Sequence, residues 1–210
     1  MTRGRFITFE GGEGGGKSTQ ARRLAEQLRL LIREVVVTRE PGGSPGGELI
    51  RGLLVNGEVD RWSAVTETLL MYAARRDHVE RVISPALAAG GWVLSDRFAD
   101  STRAYQGAGG GAPHDLIAAL EQHVVAETMP DLTLILDLPV ELGLSRAAQR
   151  GAAEARFEAK DIAFHERLRE RFLAIARMEP ERCAVIDASQ SADEVAQAVW
   201  NVVEDRLKPA

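Results

Sequence analysis

The segment Gly11-Gly12-Glu13-Gly14-Gly15-Gly16-Lys17-Ser18, with Thr19 after it, has the spacing G-x-x-x-x-G-K-S. It follows the apolar run Phe6 to Phe9 and precedes an amphipathic stretch, so it joins a strand to a helix. Glycines let the backbone curl until successive N–H groups point inward. The first helical turn adds unpaired N–H donors and the positive end of its dipole. In that setting Lys17 neutralises β- and γ-phosphates, and Ser18 offers its hydroxyl to Mg²⁺. The loop predicts ATP or GTP binding. Alone, it does not separate a kinase from an ATPase or a nucleotide-gated switch.

Two more apolar runs end in arginine. Val35 to Val37 leads into Thr38-Arg39-Glu40-Pro41-Gly42-Gly43, and Trp92 to Leu94 into Ser95-Asp96-Arg97-Phe98. A carboxylate such as Asp96 after a buried strand suits Mg²⁺ and its waters. Arg97 beside it suits a phosphate gripped by a bidentate fork. In isolation the same pair reads equally well as a strand-end ion pair with capping duty. The neighbouring phosphate loop favours the functional reading. Transfer between two phosphates needs no general base, because the acceptor oxygen is already ionised at neutral pH. It needs cations that hold two anions together and absorb charge in the transition state. The candidates are Lys17, Mg²⁺, Arg39, Arg51, Arg75 and Arg97. A further cluster, Arg146 to Glu158, mixes arginines with small residues. It is expected to be a short mobile lid, spanning about 146–160, that closes over ATP. The alternative is a solvated helical surface whose arginines pair with Glu154 and Glu158.

These residues need a scaffold that brings them to one rim. Five short apolar runs have the length of strands buried on both faces: Phe6 to Phe9, Val35 to Val37, Trp92 to Leu94, Leu132 to Leu138 and Ala184 to Ile186. Between them lie helical stripes: Ala21, Leu24, Ala25, Leu28, Leu31 and Ile32; a rougher one through Leu69, Ala73, Val79, Val82, Ile83 and Leu87; Leu116, Ala119, Leu120 and Val124; and Val195, Ala198, Val199, Val202 and Val203. The alternation predicts an α/β chain with a five-stranded parallel sheet and helices on both faces, in a single domain over 1–210. Ligands of such sheets sit beyond the carboxyl ends of the strands, where the loop and the arginines fall.

Composition narrows the partners. The net charge of −5, from 26 Lys plus Arg against 31 Asp plus Glu, argues against a nucleic-acid binder and for small-molecule substrates. The one cysteine, Cys183, excludes an intramolecular disulfide and reads as a small core residue. No apolar stretch approaches the roughly 20 residues of a membrane span, and the expected location is the cytoplasm. His78, His114, His123 and His165 show no metal-ligand spacing and read as surface or satisfied core residues. Trp62, Trp92 and Trp200 read as packing, and Gly107 to Gly111 as a flexible connection. Asp187 to Gln190 either touches adenine or caps a helix.

The segment Leu94-Ser95-Asp96-Arg97-Phe98-Ala99-Asp100-Ser101-Thr102-Arg103-Ala104-Tyr105-Gln106 resembles the signature of thymidylate kinases. Thr38 to Gly43, Tyr72-Ala73-Ala74-Arg75 and Pro130-Asp131-Leu132-Thr133-Leu134 with Asp137 are similar to three further motifs of that family, in order from Phe6 to about Asp187. The resemblance implies a P-loop NTPase fold of the nucleoside monophosphate kinase type, and the reaction ATP plus dTMP giving ADP plus dTDP. It implies Gly11 to Thr19 around the ATP phosphates, with Ser18 and Asp96 at Mg²⁺. Arg75 and Gln106 would meet the thymine base with Thr102 nearby, and Arg39, Arg51 and Arg97 the acceptor phosphate. Tyr105 would pack near the deoxyribose and Glu13 near its 3′-hydroxyl. Pro41, Met71 and Tyr72 would complete that site. The phosphate loop lacks an extra basic residue, which resembles the bacterial class with catalytic lid arginines, here Arg150 and Arg156, with Arg146 behind them. A homodimer is implied too. Met71 stands where many members have phenylalanine, Ala155 where the lid usually has aspartate, and Phe98 where tyrosine is common. Another nucleotide kinase and an ATPase switch remain the alternatives.

Overall fold

Side chains alternate across a strand, so each apolar run feeds two cores at once. In a computed structural model, which describes residues 3–58, 61–149 and 160–209, the five runs form β1 (Phe6–Glu10), β2 (Val35–Arg39), β3 (Trp92–Asp96), β4 (Leu132–Asp137) and β5 (Cys183–Asp187). They make one parallel sheet in the order β2-β3-β1-β4-β5. The described helices are α1 (Lys17–Leu28), α2 (Pro45–Val55), α3 (Ala64–His78), α4 (Ser84–Ala88), α5 (Ala99–Thr102), α6 (His114–Val124), α7 (Val140–Ala148), α8 (Ile162–Met178) and α9 (Ala192–Leu207). Ile7, Phe9, Leu94, Leu132, Leu134 and Leu136 share one buried cluster with Leu24 and Leu28 of α1 and Val195, Val199 and Val203 of α9. Phe6 and Val93 join a second cluster with Tyr72, Ile83 and Ile117, and Ile135 a third with Phe164, Leu168 and Phe172 of α8. The sheet is therefore covered on both faces, as the alternation predicts. Cys183 lies in the third cluster, and burial pushes its thiol up to about 11, the property of a packing residue.

Helix starts follow the side-chain chemistry. Ser44 accepts the Gly47 N–H ahead of α2, with Pro45 in the first turn, and Asp161 accepts the Phe164 N–H ahead of α8. Ser191 and Glu194 exchange bonds in a capping box at α9. α1 stops at Leu28, short of the pattern's end. Leu30 and Leu31 face outward, and Ile32 reaches the core through a turn instead. The rough stripe of α3 is a misreading of which face is inside. Leu69 and Ala73 are exposed, whereas Thr68, Tyr72, Arg75 and His78 are buried, so the inner face is partly polar. A π-helical turn, Val79–Ile83, then shifts the phase before α4. Gly107 and Gly109 belong to a second π-helical segment, Arg103–Gly109, not a loose connection. Among the described residues no helix is long and apolar enough to cross a membrane.

Because β1 lies between β3 and β4, the chain leaves β1 for one side of the sheet and later returns to the other. The carboxyl ends of β1, β3 and β4 thus form the crevice where such sheets bind ligands.

Candidate active site

The phosphate loop leaves β1 at Glu10 and enters α1 at Lys17. It needs glycine at specific points. Gly14 has φ 71°, and a Cβ there would lie 2.0 Å from the Gly143 carbonyl oxygen of α7. Gly16 caps α1 at φ 82° without any side-chain cap, and the first turn holds no acidic residue, so its N–H donors face an anion site unopposed. Lys17 Nζ, mostly buried, donates to the carbonyl oxygens of Gly12 at 2.7 Å and Gly11 at 3.2 Å, inside the loop. Gly15 and Thr19 complete the segment, Gly15 buried and Thr19 exposed in the first turn of α1.

Glu13 is the one acidic residue of the loop, and it is buried. Its Oε1 accepts from Arg97 Nη2 at 2.9 Å and from the Tyr105 hydroxyl at 2.6 Å. Burial alone would raise its pKa. The Arg97 and Lys17 charges and the Tyr105 bond overcome that and hold it at about 2. Arg97 has φ 73°, an unusual backbone for a non-glycine residue. Its N–H bonds the Phe9 carbonyl, its own carbonyl accepts from Ser95 Oγ, and its guanidinium stacks 4.9 Å over Tyr105. The strained turn aims the arginine at the loop, where Nη1 also reaches the Gly11 carbonyl.

Ser18 and Asp96 meet at the rim, the hydroxyl donating to Asp96 Oδ2. Arg39 pairs in register with Asp96 but points outward, bonding Glu48 through two contacts of 3.2 Å. It lies in a groove with Ser18, Arg22, Thr38 and Asp96, on the other side of the rim from the cavity described next. Sequence motifs group Arg39 with the acceptor site; its side chain lines this groove, whereas the next residues, Glu40 and Pro41, line the cavity.

That cavity, about 450 Å³, is lined by Glu13, Glu40, Pro41, Val55, Met71, Arg75, Arg97, Phe98, Ser101, Thr102, Tyr105 and Gln106. Ten of its twelve residues come from the expectations above or their signature segment. Pro41 enters through a cis Glu40–Pro41 bond, and Arg51 Nη1 holds the Pro41 carbonyl at 2.8 Å. Arg75, only 2% exposed, is gripped on three sides: Nε by Glu40 at 2.7 Å, and Nη2 by the Phe98 carbonyl and Thr102 Oγ1, each at 3.0 Å. Its Nη1 is buried without a hydrogen-bond partner. Tyr72 does not line the cavity. It lies in the core under Arg75, whose guanidinium is 4.7 Å from the Tyr72 ring and 5.2 Å from Phe98. The expected contact of Tyr72 with substrate is thus replaced by a supporting one.

Beneath the cavity lies a polar network that motif reading passed over. Glu10 accepts the Phe98 N–H at 2.8 Å and the Ser101 hydroxyl at 2.6 Å, and so braces the segment that carries Arg97. Asp100 binds Arg182 at 2.7 Å and Arg103 at 3.2 Å, while Arg103 also holds Glu121 and Glu179. Burial and the Asp100 charge push Glu10 up to about 7, against the relief given by Ser101 and Arg97. The native protein therefore keeps this proton where the unfolded chain, near 4.5, has lost it. The resulting stability is fully present below about pH 4.5 and is lost as pH rises through about 7, a swing on the order of 3 kcal/mol. Glu13 and Asp187, both held at about 2, act in the opposite sense and only below their ordinary range. Urea midpoints at pH 5 and pH 8 should fall in the native protein and stay flatter in Glu10→Gln. An equal slope in both would refute a raised Glu10.

On the ATP side, Arg146 Nη1 and Nη2 donate to the carbonyls of Ala188 at 2.6 Å and Ser189 at 3.0 Å. This ties α7 to the turn after β5 and makes Arg146 part of a wall, not a lid tip. Asp187 bonds Ser189 and Gln190 within that turn. Arg150, Ala155 and Arg156 lie outside the described residues. The histidines are core or surface residues as expected, yet His78 is more than filler: it bridges Thr38 at 2.7 Å and Glu40 at 2.9 Å. The sign of it in the sequence was a histidine one turn beyond Arg75 on the same helix.

Known proteins match this arrangement. The family model described as thymidylate kinase matches residues 9–199. A thymidylate kinase from Caulobacter vibrioides is 68% identical over 207 residues, covering 99% of each chain. One from Nitrobacter winogradskyi is 56% identical over 210 residues, covering 99% of this chain and 91% of its own. The crystal structure of thymidylate kinase from Ehrlichia chaffeensis superposes with a TM-score of 0.80 at 35% identity, covering 96% of this chain and 99% of that one. With the phosphate loop, the Glu13–Arg97 pair and the acceptor cavity in place on one rim, the chain belongs to the thymidylate kinase family.

Proposed function

We propose that dTMP occupies the cavity between Arg75 and Arg97, with its phosphate toward the loop that holds ATP. Thymidylate kinases phosphorylate dTMP with ATP, giving dTDP and ADP in nucleotide biosynthesis, and this chain catalyses that reaction as one of them. The observation that carries the placement is Arg75, which lines the cavity together with Arg97 and whose buried Nη1 is a cationic donor with no hydrogen-bond partner in the protein. Leaving such a donor unpaired costs about 1–3 kcal/mol or more, so the cavity is built for a ligand oxygen, here a carbonyl of the base. Met71 packs on the base face through its polarizable sulfur.

Each group then has a task. Lys17 exchanges loop carbonyls for phosphate oxygens, and the N–H donors of the loop and of α1 hold the rest. Arg97, close to both loop and cavity, spans donor and acceptor and offsets their repulsion. Glu13 fixes the Arg97 fork and the Tyr105 hydroxyl. Ser18 and Asp96, which meet at the rim, would supply the two hard oxygen ligands that suit Mg²⁺. When bound, Mg²⁺ neutralises charge on the transferring phosphates. Arg39 lies on the Mg²⁺ side of the rim and approaches the acceptor phosphate only by leaving Glu48. The segment after Arg146, up to about residue 160, acts as a lid on a single domain, with Arg150 and Arg156 supplying further cations. The enzyme works as a cytoplasmic homodimer, supported by the exposed Leu49 and Leu53 of α2 and Val65 and Leu69 of α3.

The deciding experiment is ADP formation from ATP and Mg²⁺ with and without dTMP. ADP release should depend on dTMP, with dTDP formed in equal amount. Release indifferent to dTMP would overturn the acceptor and favour an ATPase.

A further inference from the structure

Gln106 lines the acceptor cavity and is 2% exposed. Its Nε2 donates to Glu67 Oε1 at 2.7 Å. An ionised carboxylate only accepts hydrogen bonds, so this partner decides which end of the amide is which. The NH₂ group is committed to Glu67, and Oε1 is left for the cavity. Glu67, Met71 and Arg75 follow one another at intervals of four along α3, so they form one row on that helix. Met71 and Arg75 line the cavity, while Glu67 reaches Gln106 at the end of the row. Arg75 lines the same cavity, and its buried Nη1, which only donates, has no hydrogen-bond partner in the protein. The base pocket therefore offers one fixed donor and one fixed acceptor.

We propose that Glu67 is a positioning residue that sets base selectivity: it locks Gln106 as an acceptor beside the Arg75 donor. The pocket then reads a ring edge that carries a carbonyl next to an N–H. Thymine and uracil present that edge through O4 and N3–H. Cytosine presents an amine and a lone pair at the same places. It would set N–H against Arg75 and a lone pair against Gln106 Oε1, two buried mismatches at once. Sites built on such hydrogen bonds reject the wrong partner far more strongly than sites built on shape. Without Glu67, Gln106 is free to turn over and meet cytosine N3 with its NH₂, which removes one of the two mismatches. This inference rests on the placement of a pyrimidine base in the cavity.

The test is kcat/KM for dTMP and for dCMP, with KM for ATP as the control, in the native enzyme and in Glu67→Gln. Glutamine keeps the shape but can donate as well as accept, so Gln106 loses its fixed orientation. The ratio of dTMP to dCMP is expected to fall at least tenfold while KM for ATP stays within twofold. Glu67→Met, which keeps the length without the carboxylate, is the second variant and should move the ratio the same way if Glu67→Gln does not fold. A ratio unchanged in a folded variant overturns the role of Glu67 and leaves the placement of dTMP standing. Native enzyme that uses dTMP and dCMP equally well overturns the base placement, and the proposal with it.

Discussion

Replacing Lys17 by alanine should reduce phosphoryl transfer by about 10³-fold or more while the protein stays folded. Removing one fixed transition-state donor typically costs 10²–10³ in kcat, and Lys17 combines that donor with a full charge at the centre of the loop. It contributes far less to folding. Its ammonium donates to two carbonyls of its own loop, Gly11 and Gly12, and Lys17 is not a member of the three apolar clusters. The loop itself is held by backbone geometry at Gly14 and Gly16 and by the cap of α1. Loss of two hydrogen bonds is worth about 1–3 kcal/mol, against which the freed loop carbonyls regain water. The measurement is single-turnover transfer from ATP to dTMP beside a urea melt. A near-native rate in Lys17→Ala would refute the loop's role. A collapsed melt with the rate lost would mean that the lysine is structural.

The two outcomes that matter most, fold and loop, were legible because their physics is local. Apolar runs of strand length separated by amphipathic stretches leave few solutions, and glycines followed by Lys17-Ser18 name their ligand by spacing. What escaped was set by packing between distant segments. The inner face of α3 carries Thr68, Arg75 and His78, so a search for apolar stripes picked the exposed Leu69 and Ala73 instead. Two π-helical turns break the 3.6-residue period where the site residues sit, and no spacing rule anticipates them. Tyr72 was drawn to the substrate by its neighbour Arg75, yet adjacent helix positions point in different directions, and its ring went under the guanidinium. Glu10, Glu40 and Glu67 were invisible for a different reason. Each acts on a partner 35 or more residues away, through Ser101, Arg75 and Gln106 respectively. Their one sequence sign was acidic residues at positions where burial is expected, Glu10 most plainly, as the last residue of a fully buried strand.

The Arg97 side chain separates acceptor use from ATP binding, and Arg97→Ala should show the difference. It sits in a three-part contact: its guanidinium bonds Glu13 at 2.9 Å, Ser101 at 3.2 Å and the Gly11 carbonyl at 3.1 Å. Two effects then add. The acceptor phosphate loses a cation, and Glu13 keeps its charge with its strongest partner gone, so a buried carboxylate now faces an incoming anion. Breaking a buried pair from one side commonly costs about 3–5 kcal/mol, and here part of that appears in dTMP binding. The expected result is a fall in kcat/KM for dTMP of about 10²–10³-fold, with KM for ATP changed by no more than a few-fold, since Lys17 and the α1 donors remain. Adding Glu13→Gln should restore part of the loss, because it removes the stranded charge and keeps an acceptor for Tyr105. Arg97→Lys should stay impaired, since a single ammonium cannot serve Glu13, Gly11 and a phosphate through one planar fork. Equal losses for ATP and dTMP would place Arg97 on the donor side. No rescue by Glu13→Gln would mean that the pair is not what shapes the acceptor phosphate's surroundings.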